Sequence, residues 1–377
     1  MDILIIISHL GPGGSQKVAV KLANGWNERG YKVGFLTTSD EIEDTQLLNE
    51  DITRIKTRTI GLKTSLFKIA AIYNFIKTCI DIRKAILKHR PGIIISFICP
   101  TNIKVIIASI GIRSTRLIIS ERNNVELQRF PAYIEIARKL LYKSADVVTA
   151  NSKAALKAMS DYVPEDKLQY LPNPVDMPDI EIKEENPGKN ELKLLYVGRL
   201  VKQKRIEIIL KALNKLLKQG YNFSLTIAGD GPLISEIRNY CVNNNIENNV
   251  NIVGHVDDID KYYMESNIFI LCSDYEGTSN ALLEAMSYGL TCIISRNANI
   301  SSHIIDDRDN GIVLHNNNET ELENILIDLY KDRSQLYKYG VAARECCIKY
   351  SSESVFDTWN SLLEPISKLP EQDHDSG

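Results

Sequence analysis

One stretch decides the fold: Ser273-Asp-Tyr-Glu-Gly-Thr-Ser-Asn-Ala-Leu-Leu-Glu-Ala-Met-Ser-Tyr-Gly289. It lies between two short apolar runs, residues 268–272 and 290–294, whose length is typical of buried strands. The apolar residues in its middle predict a compact helix, with Ser279 or Asn280 as the cap and Gly289 at the end. The stretch therefore predicts strand, loop, helix and strand, which is the repeating unit of a parallel α/β sheet.

Two carboxylates in this stretch indicate a binding site. Glu276 lies just beyond the first strand, and Glu284 lies one to two turns into the helix. The free N–H groups and positive dipole at the start of a helix favour an anion. The carboxylates would flank that anion and accept hydrogen bonds from sugar hydroxyls, while Gly277 lets the backbone approach closely. An isolated pair of glutamates is more often solvated, but the complete pattern, with its Glu-Ala-Met-x-x-Gly ending, favours a site.

The spacing of Glu276 and Glu284 resembles the E-x7-E signature of the retaining glycosyltransferases of family four, which have the GT-B fold. Other motifs follow in the order of that family: Gly13-Gly14, Val197-Gly-Arg-Leu200, Gln203-Lys204, Ile227-Ala-Gly-Asp-Gly-Pro232, Val253-Gly254 and Asn310-Gly311. The resemblance is strongest from about residue 192 to 313. It implies an α/β protein of GT-B type, with two Rossmann-like, doubly wound parallel-sheet domains facing across a cleft.

The resemblance also implies roles for individual residues. Glu276, Arg199 and Lys204 would be catalytic, the two cations stabilising a departing diphosphate without a metal. Donor-binding residues would be Gly13, Gly14, Gly198, Gly254, His255, Gly277, Thr278, Ser279, Asn280 and Glu284. The acceptor or sugar side would hold His9, Glu121, Arg122 and Asn123. Many family members have a histidine near the last three positions, which this chain lacks; His9 is equally compatible with a structural role.

The chain is long enough for two domains. Polar residues 120–124 directly follow a predicted strand and should project into the crevice at its end. Two prolines within residues 170–176, followed by a polar run, predict a linker. The resemblance then implies three parts: an N-terminal acceptor-binding domain (1–175), a nucleotide-sugar-binding domain (190–352) and a helix crossing back to the first domain (353–369). The polar composition of residues 370–377 predicts a disordered tail.

Composition and charge restrict the cellular setting. Seven cysteines without a C-x-x-C pair argue against disulfides or zinc and predict a reducing compartment. No basic leader precedes the first apolar run, and no apolar stretch approaches the roughly 18 residues of a spanning helix, so a cytoplasmic protein is expected. No metal is expected either, because the D-x-D motifs at residues 258–260 and 307–309 do not directly follow β-branched runs.

The net charge of −3 hides an asymmetry between the halves. Residues 1–175 contain 25 Lys and Arg against 16 Asp and Glu. Most of the excess lies in 54–90, where ten basic residues accompany a single acid, Asp81, and apolar residues at helical spacing. Such a segment can lie on an anionic membrane surface, or it can be a solvated helix packed on a core. Nucleic acid is disfavoured by the acidic second half and by the lack of a binding motif.

The predicted function is transfer of a hexose or N-acetylhexosamine, with retention, from a nucleoside-diphosphate sugar, with UDP-sugar favoured. The acceptor would be a lipid-linked glycan in bacterial surface-polysaccharide synthesis of the O-antigen, lipopolysaccharide or capsule type, at the inner face of the plasma membrane. A sugar-nucleotide epimerase of the same architecture is the main alternative, and a non-catalytic sugar-binding protein is another. A nicotinamide-dependent dehydrogenase is disfavoured because no G-x-G-x-x-G follows a first strand.

Overall fold

The computed structural model describes residues 1–11, 13–39, 44–57, 67–123, 125, 128, 130–182, 191–256 and 258–363, with only the backbone for residues 67–70 and 300–302. The chain forms two compact units. Unit 1 is Met1–Pro172 with the chain from Val355 onward, and unit 2 is Asn173–Ser354. The predicted tail 370–377, most of the polar run before residue 191 and basic residues 58–66 lie outside the described residues.

Unit 1 contains a seven-stranded sheet in which every neighbouring pair is parallel. Its strands are β1 (Ile3–Ile7), β2 (Val33–Thr37), β3 (Thr53–Lys56), β4 (Ile93–Phe97), β5 (Arg116–Glu121), β6 (Val147–Ala150) and β7 (Leu168–Tyr170). Its helices are α1 (Gly14–Glu28), α2 (Phe67–His89), α3 (Thr101–Ser109), α4 (Ala132–Leu141) and α5 (Lys153–Met159). The central strands β1 and β4 are buried along their whole length and consist mostly of isoleucine, because helices cover both faces of the sheet.

The last described helix packs in the core of unit 1, although it follows unit 2 in the chain. Trp359 of this helix is fully buried, and its indole ring packs edge to face on that of Trp26 in α1, with ring centroids 5.8 Å apart. Trp26 also donates its indole N–H to Asn360, at 3.0 Å. This helix is α13 (Ser352–Asn360), numbered after the seven helices of unit 2. The apolar side chains of this helix, Val355, Phe356 and Trp359, thus belong to the core of unit 1.

Unit 2 contains a six-stranded parallel sheet. Its strands are β8 (Leu192–Val197), β9 (Phe223–Ala228), β10 (Val250–Gly254), β11 (Ile268–Leu271), β12 (Thr291–Ser295) and β13 (Ile312–Leu314). Its helices are α6 (Ile206–Lys218), α7 (Ile234–Asn243), α8 (Asp260–Glu265), α9 (Asn280–Ser287), α10 (Arg296–Ser302), α11 (Glu319–Lys331) and α12 (Ser334–Cys347). Two apolar clusters, one on each face, bury the sheet.

The strand orders identify where each sheet can bind a ligand. Unit 1 has the order β3-β2-β1-β4-β5-β6-β7, and unit 2 has β10-β9-β8-β11-β12-β13. The winding direction therefore reverses between β1 and β4 in the first sheet and between β8 and β11 in the second. Doubly wound sheets bind ligands beyond the carboxyl ends of the strands at such a reversal. The loops after β1, β8 and β11 carry most of the predicted site residues, so the fold brings the motifs to these edges.

Within the part of the chain that the structure describes, no helix combines the length and the apolar character needed to cross a bilayer.

Candidate active site

Two loops at the reversal point of unit 2 are fastened together. After β8 the chain makes a short 3-10 turn, and Arg205 then takes a left-handed conformation before α6. The side-chain amide of Gln203 donates to the carbonyl of Tyr275 at 2.7 Å, and the main-chain carbonyl of Gln203 accepts from the N–H of Asp274 at 2.9 Å. Arg205 forms an ion pair with Asp274 at 3.0 Å. We call these contacts the 203–205 clasp; they fix the loop after β11 against the loop after β8.

Lys204 and Glu276, two predicted catalytic residues, form an ion pair at the centre of the clasp. The Nζ atom of Lys204 donates to Oε1 of Glu276, and each side chain is only 12% exposed. An ammonium group has three donors and a carboxylate has two acceptor oxygens. One bond between them leaves capacity for Lys204 to hold an anion and for Glu276 to accept from a hydroxyl group.

Helix α9 begins directly beside this pair. The cap is Ser279, whose hydroxyl accepts from the N–H of Leu282 at 3.4 Å, and Gly289 closes the following turn with a φ of +72°. The carbonyl of the buried Thr278 accepts from the side chain of Asn173 at 2.9 Å, and Asn280 contacts the same amide group at 2.6 Å. The sequence analysis did not identify Asn173, which fixes the start of the helix.

Glu284 is held on α9 by an aromatic pair. Its Oε2 accepts from the hydroxyl of Tyr263 at 2.9 Å. Tyr263 stacks on Tyr288, with ring centroids 5.3 Å apart. Burial, together with the nearby carboxylate of Glu284, raises the pKa of Tyr263 well above its ordinary value. Tyr263 is therefore a neutral donor that orients one carboxylate oxygen of Glu284.

Glycines at three adjacent strand ends bring the backbone together. Gly198, Gly229 and Gly254 end or follow β8, β9 and β10, and the N–H of Gly229 donates to the carbonyl of Gly254 at 2.7 Å. A Cβ atom on Gly229, where φ is +140°, would lie 2.0 Å from the carbonyl oxygen of Gly198. No other residue fits this position. His255, the predicted donor-binding residue that follows, has an exposed side chain.

Arg199 differs from Lys204 because its side chain is exposed. Its backbone is fixed, since the hydroxyl of Tyr196 donates to the Arg199 carbonyl at 3.0 Å. Among the described residues, no carboxylate forms an ion pair with its guanidinium group. The fold thus fixes where the Arg199 side chain starts while leaving its charged end free to reach a ligand.

The loop after β1 places His9, Gly13 and Gly14 near the amino terminus of α1. The ring of His9 accepts from the N–H of Gly11 at 3.0 Å and lies 3.3 Å from the side chain of Gln16. Burial lowers the pKa of His9, and the coulombic effect of Asp44 opposes that shift. Gly13 is extended and Gly14 is the first helical residue. These local contacts are the kind expected of a histidine with a structural role.

The expectation that Glu121 and Arg122 project into a crevice is wrong. Glu121 is 1% exposed, and its carboxyl group accepts from the hydroxyl of the fully buried Tyr142. Burial raises the pKa of Glu121, and the hydrogen bond from Tyr142 opposes that rise. As the last residue of β5, Glu121 points inward among the helices instead of beyond the strand end.

Arg122 is 5% exposed and is enclosed by aromatic rings and carbonyl groups. Its guanidinium carbon lies 5.6 Å from the ring centre of Phe97 and 5.5 Å from that of Trp359. The Nη1 atom donates to the carbonyl of Leu171 at 2.9 Å. Burial lowers the pKa of Arg122 to about 9. Its charge is stabilised by ring faces and main-chain oxygens, so Arg122 links the end of β5 to Leu171. Asn123, the next residue, is half-buried.

Among the described residues, no group of three or more histidine, cysteine, aspartate or glutamate side chains is arranged to hold a metal ion.

Comparisons with known proteins agree with this architecture. Residues 12–178 match the model of glycosyltransferase family 4, and residues 178–346 match that of the glycosyl transferases group 1. The structure superposes on Anabaena HepE in complex with UDP, with a TM-score of 0.79, 17% identity, and coverage of 97% of this chain and 100% of that chain. A sucrose-phosphate synthase from Thermosynechococcus elongatus gives a TM-score of 0.78 at 16% identity, over 97% and 99% of the two chains.

Sequence relatives carry similar descriptions. The chain is 27% identical, over 97% of its length and 99% of the relative, to GalNAc-α-(1→4)-GalNAc-α-(1→3)-diNAcBac-PP-undecaprenol α-1,4-N-acetyl-D-galactosaminyltransferase of Campylobacter jejuni. It is 28% identical, over 52% of its length and 56% of the relative, to UDP-Gal:α-D-GlcNAc-diphosphoundecaprenol α-1,3-galactosyltransferase of Escherichia coli. The family resemblance, the GT-B fold and the enzyme class predicted from the sequence are confirmed. The chain belongs to the GT-B glycosyltransferases, with a family 4 domain in its first half and a group 1 domain in its second.

Proposed function

We propose that the enzyme transfers a hexose or N-acetylhexosamine from a UDP-sugar to a lipid-linked glycan, with retention of the anomeric configuration. The observation that carries this proposal is the 203–205 clasp, which holds a cation, a carboxylate and a helix amino terminus together in unit 2. A sugar nucleotide offers complementary groups, namely a diphosphate and sugar hydroxyls. The E. coli relative is described as using UDP-Gal, which supports uridine as the base.

In this proposal the donor is held by charge and by paired hydroxyl contacts. Lys204, Arg199 and the N–H groups around Ser279 bind the diphosphate. Glu276 accepts from a hydroxyl of the transferred sugar, and Glu284 accepts from the ribose. Fixed donors of this kind stabilise charge that develops on a leaving group.

The proposed reaction breaks the bond between the anomeric carbon and the diphosphate oxygen. The acceptor hydroxyl oxygen forms a new bond to that carbon on the same face, and its proton passes to the departing diphosphate oxygen. No side-chain nucleophile is required. The cations Lys204 and Arg199 would take the place that a metal ion occupies in other sugar transferases.

The acceptor is proposed from the relatives. Those of C. jejuni and E. coli are named for glycans on undecaprenol diphosphate. We therefore assign a polyprenyl-diphosphate glycan of a bacterial surface polysaccharide to this enzyme, with unit 1 as its binding unit. Such an acceptor places the enzyme at the inner face of the plasma membrane, with segment 54–90 on the bilayer. Within the described part of that segment, Arg54 and Lys56 form ion pairs with Asp44, and Lys77 forms one with Asp81.

The test uses the purified protein, a short-chain prenyl-diphosphate sugar and UDP-Glc, UDP-Gal, UDP-GlcNAc or UDP-GalNAc in parallel. Acceptor-dependent release of UDP is expected with one of these donors, and the product should show an α linkage by its proton coupling constant. Activity should persist in excess EDTA. A β linkage or loss of activity in EDTA would contradict the mechanism. Conversion of the donor without any acceptor would indicate an epimerase, which no contact described here favours over transfer.

A further inference from the structure

Large apolar side chains are exposed on one layer of helices in unit 1. The strongly exposed ones on α2 are Ile72, Tyr73, Ile76, Ile80 and Leu87, with exposures from 48% to 63%. Those on α4 are Tyr133, Ile136 and Leu140, at 59% to 70%. Single exposed apolar residues are ordinary, but several large ones on one helical layer indicate an interaction surface. We call these eight residues the α2–α4 apolar face.

On α2 the exposed apolar residues form a stripe beside the buried side of the helix. Residues 72, 76, 80 and 87 recur at intervals of four and seven, which keeps them within about 100° of each other around a helix of 3.6 residues per turn. Cys79, Ile82 and Ile86 lie on average about 90° further round the helix, next to the stripe, and are buried in the core. A helix of an ordinary water-exposed layer would carry polar residues where this stripe lies.

Helix α4 carries further exposed apolar residues in the same helical layer. Tyr133, Ile136 and Leu140 are spaced by three and four residues and therefore share one face of the helix. Helix α3 packs against both α2 and α4, and all three cover the same face of the unit 1 sheet. The outward sides of α2 and α4 consequently belong to a single helical layer.

The charges around the α2–α4 apolar face are positive. Lys84 and Lys88 on α2 are exposed, as are Lys139 on α4 and Lys143 just after it, and none of the four forms an ion pair with a carboxylate of the described chain. The acids on these helices already have partners, since Asp81 pairs with Lys77 and Glu135 pairs with Arg138. Apolar residues bordered by unpaired lysines complement an anionic lipid surface, whose headgroups attract the lysines while the stripe enters the acyl boundary.

We propose that the α2–α4 apolar face docks the enzyme on an anionic bilayer, an inference that deepens the proposed function by assigning the membrane surface to particular residues. The surface differs from the predicted segment 54–90, because it leaves out Arg54 and Lys56 and includes α4. A second copy of the chain would place like charges opposite each other, so charge favours lipid over self-association.

Vesicle co-sedimentation of the full chain tests this inference, with phosphatidylcholine vesicles that either contain or lack phosphatidylglycerol. The wild type should bind only the anionic vesicles. The variant Ile76→Ser/Ile80→Ser/Leu87→Ser should bind on the order of 100-fold more weakly, given the apolar burial lost at three half-exposed side chains. Ile136→Ser/Leu140→Ser should weaken binding on the order of tenfold. The matched control is Val242→Ser/Met264→Ser/Ile348→Ser, which removes equally exposed apolar residues from unit 2 and should bind like the wild type.

Each other outcome overturns the inference: no binding by the wild type, equal binding by the stripe variants, or an equal loss in the control. A wild-type dimer that the stripe variants convert to monomers, with vesicle binding unchanged, would assign the face to self-association instead. All variants should retain transfer to a short-chain acceptor in detergent. If the wild type fails that assay while binding remains dependent on the stripe, the proposed function fails and the docking surface stands.

Discussion

Replacing Lys204 by methionine should separate the structural and the catalytic parts of its role. The substitution keeps the length of the side chain but removes the charge that faces Glu276. Both side chains are 12% exposed, so the carboxylate would be left largely buried without its cation. Breaking a buried pair at one partner costs about 3–5 kcal/mol, and the residual exposure favours the lower end. For a unit of this size, about 3 kcal/mol lowers the melting temperature by roughly 6–12 °C.

The double variant Lys204→Met/Glu276→Gln distinguishes the two roles. It removes both charges, so its stability should return to within about 1 kcal/mol of the wild type. Transfer should nevertheless stay about 100-fold or more below the wild type, because the charge that stabilises the leaving diphosphate is still missing.

Calorimetry and steady-state kinetics measure the two effects independently. Lys215→Met is the control, since Lys215 forms a more exposed ion pair with Glu323 in the same unit, at 3.5 Å. This change should cost less than about 1 kcal/mol and leave kcat unchanged. Recovery of transfer in the double variant, or a single variant with a kcat near that of the wild type, would refute the catalytic reasoning.

Three further changes test the packing within the two units. Gly229→Ala should destabilise unit 2 by at least about 2 kcal/mol in urea unfolding, because its methyl group would collide with the carbonyl of Gly198. Trp359→Ala should cost about 3–5 kcal/mol in the same assay through the cavity left in unit 1. Burial raises the pKa of Glu121, so the contribution of this carboxyl group to stability is complete below its unfolded pKa of about 4.3 and is lost as the pH rises through the folded value. Glu121→Gln should therefore gain stability relative to the wild type between pH 4 and pH 8, and a difference independent of pH would contradict the shift.

Much of the architecture was predictable because the sequence signals are local. Apolar runs bounded by turns predicted strands at residues 268–272 and 290–294, and Ser279 and Gly289 marked the ends of α9. Short elements such as β3 and α5 were missed. The four residues of β3 are half-exposed at one edge of the sheet, so they lack the apolar run that identifies a central strand.

The contacts that hold the site were not predictable, because their partners are distant in sequence. The motif containing Lys204 is recognisable, but its ion pair depends on a residue 72 positions later. Asn173 contacts the start of α9 from 105 positions earlier. Burial was also hidden: Glu121 and Arg122 follow the sequence pattern of exposed strand-end residues, yet the helices and α13 enclose them. A linear pattern states which residue ends a strand but not what packs over it.

The two cations of the site differ in a way that the fold explains. Lys204 lies inside the 203–205 clasp, where hydrogen bonds from neighbouring residues and its bond to Glu276 restrict its position. Arg199 is fixed only through its backbone and carries an exposed guanidinium group. A preorganised charge stabilises a leaving group without reorganisation during the reaction, whereas a long exposed side chain loses rotamer entropy when it is ordered. Loss of Lys204 should therefore act mainly on kcat, with a smaller rise in KM. Loss of Arg199 should raise the KM for the donor more strongly than loss of Lys204 does. Equal kinetic profiles for Lys204→Met and Arg199→Met would show that the clasp does not distinguish the two charges.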